Sequence, residues 1–336
     1  MSPSDVIMCA AARAALTAVA SCAEARLGIL IFHRVLVRPD PLFPFEVDAA
    51  RFDRMMAAVK RSFNVLPLPQ AATALRDGSL PPRAMVITFD DGYADNEVVA
   101  LPILRRYRLP ATFFVATGFL DGGRMWNDTV IECLRHTDRD MIDLESLGLG
   151  RVTTTSVADR RAAIARVIPV IKYMDLPARE AALQELHAAC NRPELSRTLM
   201  LQRAQVQSLH KAGMEIGAHT VNHPILTAVP DPVARQELAA GRDELQHLVN
   251  APVLSLAYPN GGPKTDYDLR HVAMARELGF QQAVSTAVGV SRRGDDVLQL
   301  PRFTPWDTAH WRWMARLVMN QQKVRFRVAS VEPARQ

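Results

Sequence analysis

The chain has 336 residues, 49% hydrophobic and 22% charged, enough apolar material for a sizeable core and too much for a disordered segment. Its 40 basic and 35 acidic residues leave a net charge of +5, which permits an anionic partner such as an acidic glycan or a membrane face. No dense Lys/Arg run carries interleaved aromatics, so nucleic acid is not expected as a partner.

The elements are legible in chain order. Residues 1–26, alanine-rich and interrupted by Arg13, read as an N-terminal amphipathic helical segment rather than an export signal. Cys9, Cys22, Cys133 and Cys190 form no CxxC pair, which suits a reducing compartment and excludes a thiolate zinc knuckle. No run reaches the ~20 apolar residues that span a bilayer. These features together set the expected location as cytoplasmic, with peripheral association at the inner membrane face as the compatible refinement.

"LGILIFH" (Leu27–His33) reads as a buried strand, "RFDRMMAAVKRSF" as a helix and "RAMVITFD" (Arg83–Asp90) as a second buried strand. "NEVVALPILRRYR" reads as a helix with Pro102 near its start, and "ATFFVATG" as a strand. After a break come "GMEIGAH" (strand), "DPVARQELAAGRDELQHLV" (helix), "VLSLAYP" (strand), "YDLRHVAMARELG" (helix) and "QAVST" (strand). Buried strands separated by helices imply parallel pairing through crossovers, an α/β sheet or barrel. The break, from about residue 122 to 203, is polar and helix-forming. It reads as an insertion that builds a helical subdomain or lid near the site. The polar tail, 321–336, is expected to fray.

Two strand ends carry chemistry. In "VITFDDGYADN" an apolar strand stops on Asp90 and Asp91, and Gly92 permits the turn. Ligands gather at the carboxyl ends of parallel strands, so this carboxylate pair is placed for chemistry; an Asx turn capping a helix is the alternative. "EIGAHTVNHPIL" ends another strand on His219, with His223 four residues on. Two imidazoles and one carboxylate suit a divalent metal with an open position for water, zinc being the default for such a set. The second carboxylate is then free to act as a base.

"TFDDG" followed by "HTVNH" resembles the polysaccharide deacetylase family, also called the NodB-homology or carbohydrate esterase 4 family, over about Leu27 to Arg302. The resemblance implies a distorted (β/α) barrel, here with the helical insertion, and metal-dependent hydrolysis of N-acetyl groups on amino sugars. Carried over by position, it implies Asp91, His219 and His223 as metal ligands and Asp90 as the base. The backbone N–H of Tyr93 would help hold the oxyanion. The family's usual Arg before a Pro-aromatic pair is missing: "SLAYPNGG" puts Ala257 and Tyr258 before Pro259. Arg302 in "LQLPRF" is the candidate substitute that orients the base, while Tyr258 is expected to line the acetyl pocket and Pro259 is grouped with it as substrate-binding.

The late Leu-x-His motif is also missing. His33, ending the first strand, resembles the early acid histidine of circularly permuted poly-N-acetylglucosamine deacetylases. First and last strands are neighbours in a closed barrel, which makes such a permutation tolerable. Trp126 either stacks on a sugar face or anchors the inserted helices, with Asn127 and Asp128 able to bond hydroxyls. Trp306, Trp311 and Trp313 are expected to pack the last helix.

The expected function is thus removal of N-acetyl groups from N-acetylhexosamine units of an exopolysaccharide or its lipid-linked precursor. An amidase of the same scaffold on a non-sugar amide, or a catalytically silent carbohydrate-binding protein, are the alternatives. The second needs neither the metal triad nor the spare acid. A glycosidase is excluded, because its two carboxyls must stand ~5–9.5 Å apart across the scissile bond.

Overall fold

The computed structural model describes residues 8–10, 12–14, 25–304, 307–323 and 326–330. The expected N-terminal helical segment is thus described only in part, and Trp306 lies outside the described residues.

The strands are β1 (Leu27–Phe32), β2 (Asn64–Val65), β3 (Ala84–Phe89), β4 (Thr112–Val115), β7 (Glu215–Ala218), β8 (Ser255–Ala257), β9 (Gln282–Val288) and β10 (Leu300–Arg302). Between β4 and β7 lie two further strands, β5 (Met141–Asp143) and β6 (Arg151–Thr153). The main sheet runs β1-β3-β4-β7-β8-β9-β10, all parallel, with β2 beside the start of β3. It closes just past β10. The Phe303 amide donates to Ile29 O at 2.8 Å and its carbonyl accepts from Ile31 N at 3.1 Å. The product is a nearly closed parallel barrel of the NodB type, in which the first and last strands are neighbours. The seam between β3 and β4 is narrow. Only Thr88↔Thr112 and Phe89↔Phe113 pair there, because β2 occupies the other end of β3.

Alternation along the strands sorts the core. Leu27, Ile29, Ala84, Val86, Phe114, Ala257, Val284 and Leu300 meet in one cluster drawn from six strands, the barrel interior. Phe32, Met85, Ile87 and Phe89 face the other way, onto the helix α1 (Ala49–Ser62), whose Phe52 lies edge-on to the Phe32 ring at 5.3 Å. That helix starts where the sequence supplies a cap: Asp48 accepts the Ala50 and Arg51 amides. Because Ala84, Val86 and Thr88 share a face, Asp90 emerges from the inner face at the rim.

A second helix, α2 (Leu68–Asp77), closes the bottom of the barrel with Leu68, Ala71 and Leu75. The stretch after β3 begins as a π-turn, Asn96–Ala100, before α3 (Leu101–Tyr107). The insertion comprises α4 (Trp126–His136), the antiparallel β5–β6 hairpin, α5 (Val157–Lys172) and α6 (Leu176–Ala189). It has its own apolar cluster, including Val130, Leu134, Ile164, Val167 and Leu186. The hairpin was not legible, since three residues per strand give too little alternation to register. After α7 (Arg203–Lys211) come α8 (Asp231–Val249), α9 (Leu269–Glu277) and α10 (His310–Asn320). Trp313 is buried as expected, whereas Trp311 is exposed.

Described residues of the tail pack on the barrel. Ala329 is buried and brackets Gln299, donating its N–H to Oε1 and accepting from Nε2, and Lys323 O accepts from Val290 N. Backbone pairing to the barrel holds these residues despite their polarity. Among the described residues, no helix is long and apolar enough to cross a membrane.

Candidate active site

At the end of β3 the chain turns sharply: Asp91 and Gly92 take φ of +74° and +85°, a region open to glycine and tolerated by aspartate. This turn sends Asp91 a different way from Asp90. Asp91 Oδ1 lies 3.3 Å from His219 Nε2 and 3.5 Å from His223 Nε2. Ligand atoms of all three lie within 4.8 Å of one another, and all three residues are buried. His219 Nδ1 stands 2.7 Å from Ala257 O. A carbonyl only accepts, so Nδ1 carries the hydrogen and Nε2 keeps its lone pair for a ligand, the orientation expected around a metal.

Electrostatics divide the cluster: burial would lower His219, but the Asp91 hydrogen bond and the Asp90 and Asp91 charges raise it, while the other two groups are lowered. Burial alone would lift the Asp91 carboxyl, but the hydrogen bond from His219 and the charges of His223, His33 and His219 bring it below its usual range. Burial, helped by the neighbouring His219, pushes His223 down to about 3, favouring the neutral ligand form. Two imidazoles and one carboxylate at these separations fit a borderline divalent cation.

Asp90 points elsewhere. Its two oxygens are gripped by Arg302, Nη1–Oδ1 2.7 Å and Nη2–Oδ2 2.6 Å, with both side chains buried. The guanidinium is itself held by Ser285 O (2.9 Å) and Thr88 Oγ1 (3.2 Å). Burial would raise the Asp90 carboxyl; the Arg302 charge and hydrogen bonds, with His219, overcome that and keep it ionised. Arg302 therefore faces Asp90, the group it was expected to orient, and does not line the cavity.

His33 follows β1 directly and lines a cavity of about 270 Å3 with Asp90, Asp91, His219, His223, Trp126 and Asn260. Ile168 and Lys172 of α5 complete the wall, so the insertion borders the site. Trp126 is 8% exposed, belongs to the insertion's core and carries the Arg179 guanidinium 5.5 Å from its ring. It anchors the insertion and also lines the cavity. Tyr93 is buried, with the Arg34 guanidinium 4.8 Å from its ring; among the described residues no backbone acceptor faces its amide.

Two expectations fail here. Tyr258 is fully buried, stacked on Tyr267 at 4.0 Å, and its hydroxyl donates to Leu298 O at 3.1 Å. Its amide still bonds Val284 O, so the strand's alternation carries the ring away from the rim. Pro259 is buried beside it, and Asn260 and Thr286 line the cavity instead.

Sequence reasoning also missed what holds the histidine turn. Thr220 and His223 sit at φ +65° and +51°, unusual for these residues, above all for β-branched Thr220. Glu237 of α8 accepts the Val221 and Asn222 amides at 2.9 and 2.8 Å, and Thr220 Oγ1 accepts His223 N at 3.1 Å. Gly241, one turn along α8, lets the helix approach: a Cβ there would lie 2.7 Å from Thr220 O. A glycine within a helix pattern was the available signal, since it costs the helix about 1 kcal/mol against alanine. Gly241→Ala is thus expected to lower stability by about 1–3 kcal/mol through overpacking, despite better helix propensity. Thermal denaturation checks this, and an unchanged or raised Tm would show that the turn is not seated against α8.

The sequence profile of the polysaccharide deacetylase family matches residues 77–141 and 154–283, a span that holds Asp90, Asp91, His219 and His223. No curated protein matches the chain. Among solved structures, the deacetylase PplD of Streptococcus pyogenes, in complex with acetate, is 20% identical with a TM-score of 0.59, covering 88% of this chain and 98% of that one. IcaB from Ammonifex degensii is 19% identical with a TM-score of 0.56, covering 88% and 97%. The BpsB deacetylase domain from Bordetella bronchiseptica is 16% identical with a TM-score of 0.54, covering 84% and 96%. At these identities the likeness establishes a shared fold, and the profile match carries the rest: the chain belongs to the polysaccharide deacetylase family and is a carbohydrate N-deacetylase.

Proposed function

We propose that the chain hydrolyses N-acetyl groups on N-acetylhexosamine units of an exopolysaccharide or its lipid-linked precursor, with a divalent cation, zinc by default, held by Asp91, His219 and His223. The observation that carries this reading is the segregation of two adjacent carboxylates. Asp91 faces two imidazoles, while Asp90 faces a guanidinium, in one cavity. When bound, such a cation supplies Lewis acidity toward a water and the acetamide carbonyl.

The chain's residues do the remainder. Asp90, kept ionised and aimed by Arg302, takes the proton of the attacking water. The Tyr93 amide donates to the carbonyl oxygen as it gains charge. His33, on the neighbouring strand end, gives a proton to the departing sugar nitrogen, which would otherwise be a poor leaving group. Acetate and a free amine result.

The test is acetate release from a panel of N-acetylated oligosaccharides and lipid-linked sugars, before and after chelation. Release that stops with chelator and returns with zinc is expected. Release indifferent to chelator would remove the cation from the reading, and no release from any glycan would remove the substrate class.

A further inference from the structure

A second cavity, of about 240 Å3, opens from the first at His33, Asp91 and Asn127 and runs between the loop after β1 and α4. Its charges do not balance. Arg34 is committed to Asp95 at 2.9 Å. Arg135 is held by both oxygens of Asp40, at 3.1 and 2.6 Å, and by Glu132 at 3.0 Å. Two lining carboxyls, Asp128 and Glu46, form no ion pair with a described residue.

Asp128 is the telling one. It is 4% exposed, lines the cavity, and its Oδ2 has no hydrogen-bond partner among the described residues. The buried Oδ1 of Asn127, at the junction of the two cavities, is likewise unpartnered. Burial pushes the Asp128 carboxyl up to about 7, with Asp91 adding to the rise and Arg34 and a hydrogen bond with the Tyr93 side chain opposing it; burial also raises Glu46. Orphaned buried acceptors are costly, and a ligand that supplies donors and positive charge relieves that cost.

We propose that this second cavity binds the ammonium of an amino sugar that has already lost its acetyl group, so that the preferred substrate is a partly deacetylated glycan. The inference rests on the deacetylase reading above. An acetamide brings a single N–H and no charge; an ammonium brings three donors and a charge that favours the ionised form of both carboxyls. The amine is also what hydrolysis leaves behind, so one turnover creates the group that recruits the next. A neutral sugar hydroxyl is the competing occupant.

The experiment compares kcat/KM for acetate release from tri-N-acetylglucosamine with that for the same trisaccharides carrying one freed amine, in β-1,4 and β-1,6 linkage. The free amine is expected to raise kcat/KM about 10-fold or more, the effect of a hydrogen bond to a charged group. That ratio should fall toward one in Asp128→Asn and in Glu46→Gln. Calorimetry with tri-glucosamine and chelator-treated protein gives a readout without turnover, and the same two variants should weaken this binding. Equal rates in the wild type, a ratio that survives both substitutions, or tri-glucosamine binding no tighter than tri-N-acetylglucosamine would each overturn the inference. Failure of every trisaccharide to yield acetate would overturn the N-acetylhexosamine reading instead, leaving calorimetry to judge the amine site.

Discussion

Asp90→Asn is expected to lower the rate of acetate release at least about 10²-fold while the protein still binds one divalent cation per chain. An amide of the same shape cannot accept the proton, yet Asp91, His219 and His223 keep their mutual geometry because none of them bonds Asp90. The substitution also leaves Arg302 facing a neutral group, so rates are to be read well below the melting temperature. Near-normal turnover would transfer the base to another residue. Loss of the cation along with the activity would mean that Asp90 is a ligand.

Arg302→Met is expected to be the more damaging change for the fold. The pair is buried on both sides, and removing one partner of a buried pair typically costs about 3–5 kcal/mol because the other charge is left uncompensated. Asp90 would then escape by holding a proton, which disables it as a base, so activity falls with stability. The double variant Asp90→Asn, Arg302→Met separates the two effects. It should regain much of the lost stability, since no lone charge remains, and none of the activity. Additive stability losses in that cycle, measured by denaturant titration, would show that the pair is not coupled.

Much of the fold was legible because the strands are buried on both faces and read as unbroken apolar runs between amphipathic helices. The turn residues were legible too. A Gly after two Asp marks a strand end by local backbone preference alone. Tyr258 was misplaced because a residue near a strand end can face either way; its amide continues the ladder to Val284, and its ring packs among the helix-facing side chains rather than at the rim. Glu237 and Gly241 were missed because each looks like an ordinary helix residue until the helix is seated on the histidine turn.

Local sequence thus determined which side chains could do the chemistry: the paired carboxylates, the two histidines four apart and the early histidine are each short-range patterns. Tertiary structure decided what each one faces. The Arg302–Asp90 grip spans 212 positions of chain and exists only because the barrel closes. The unpaired carboxyls of the second cavity appear only once an inserted helix lies across the loop after the first strand. The reason is physical: ionisation, orientation and burial depend on neighbours within a few ångströms, and those neighbours come from segments that no local pattern connects.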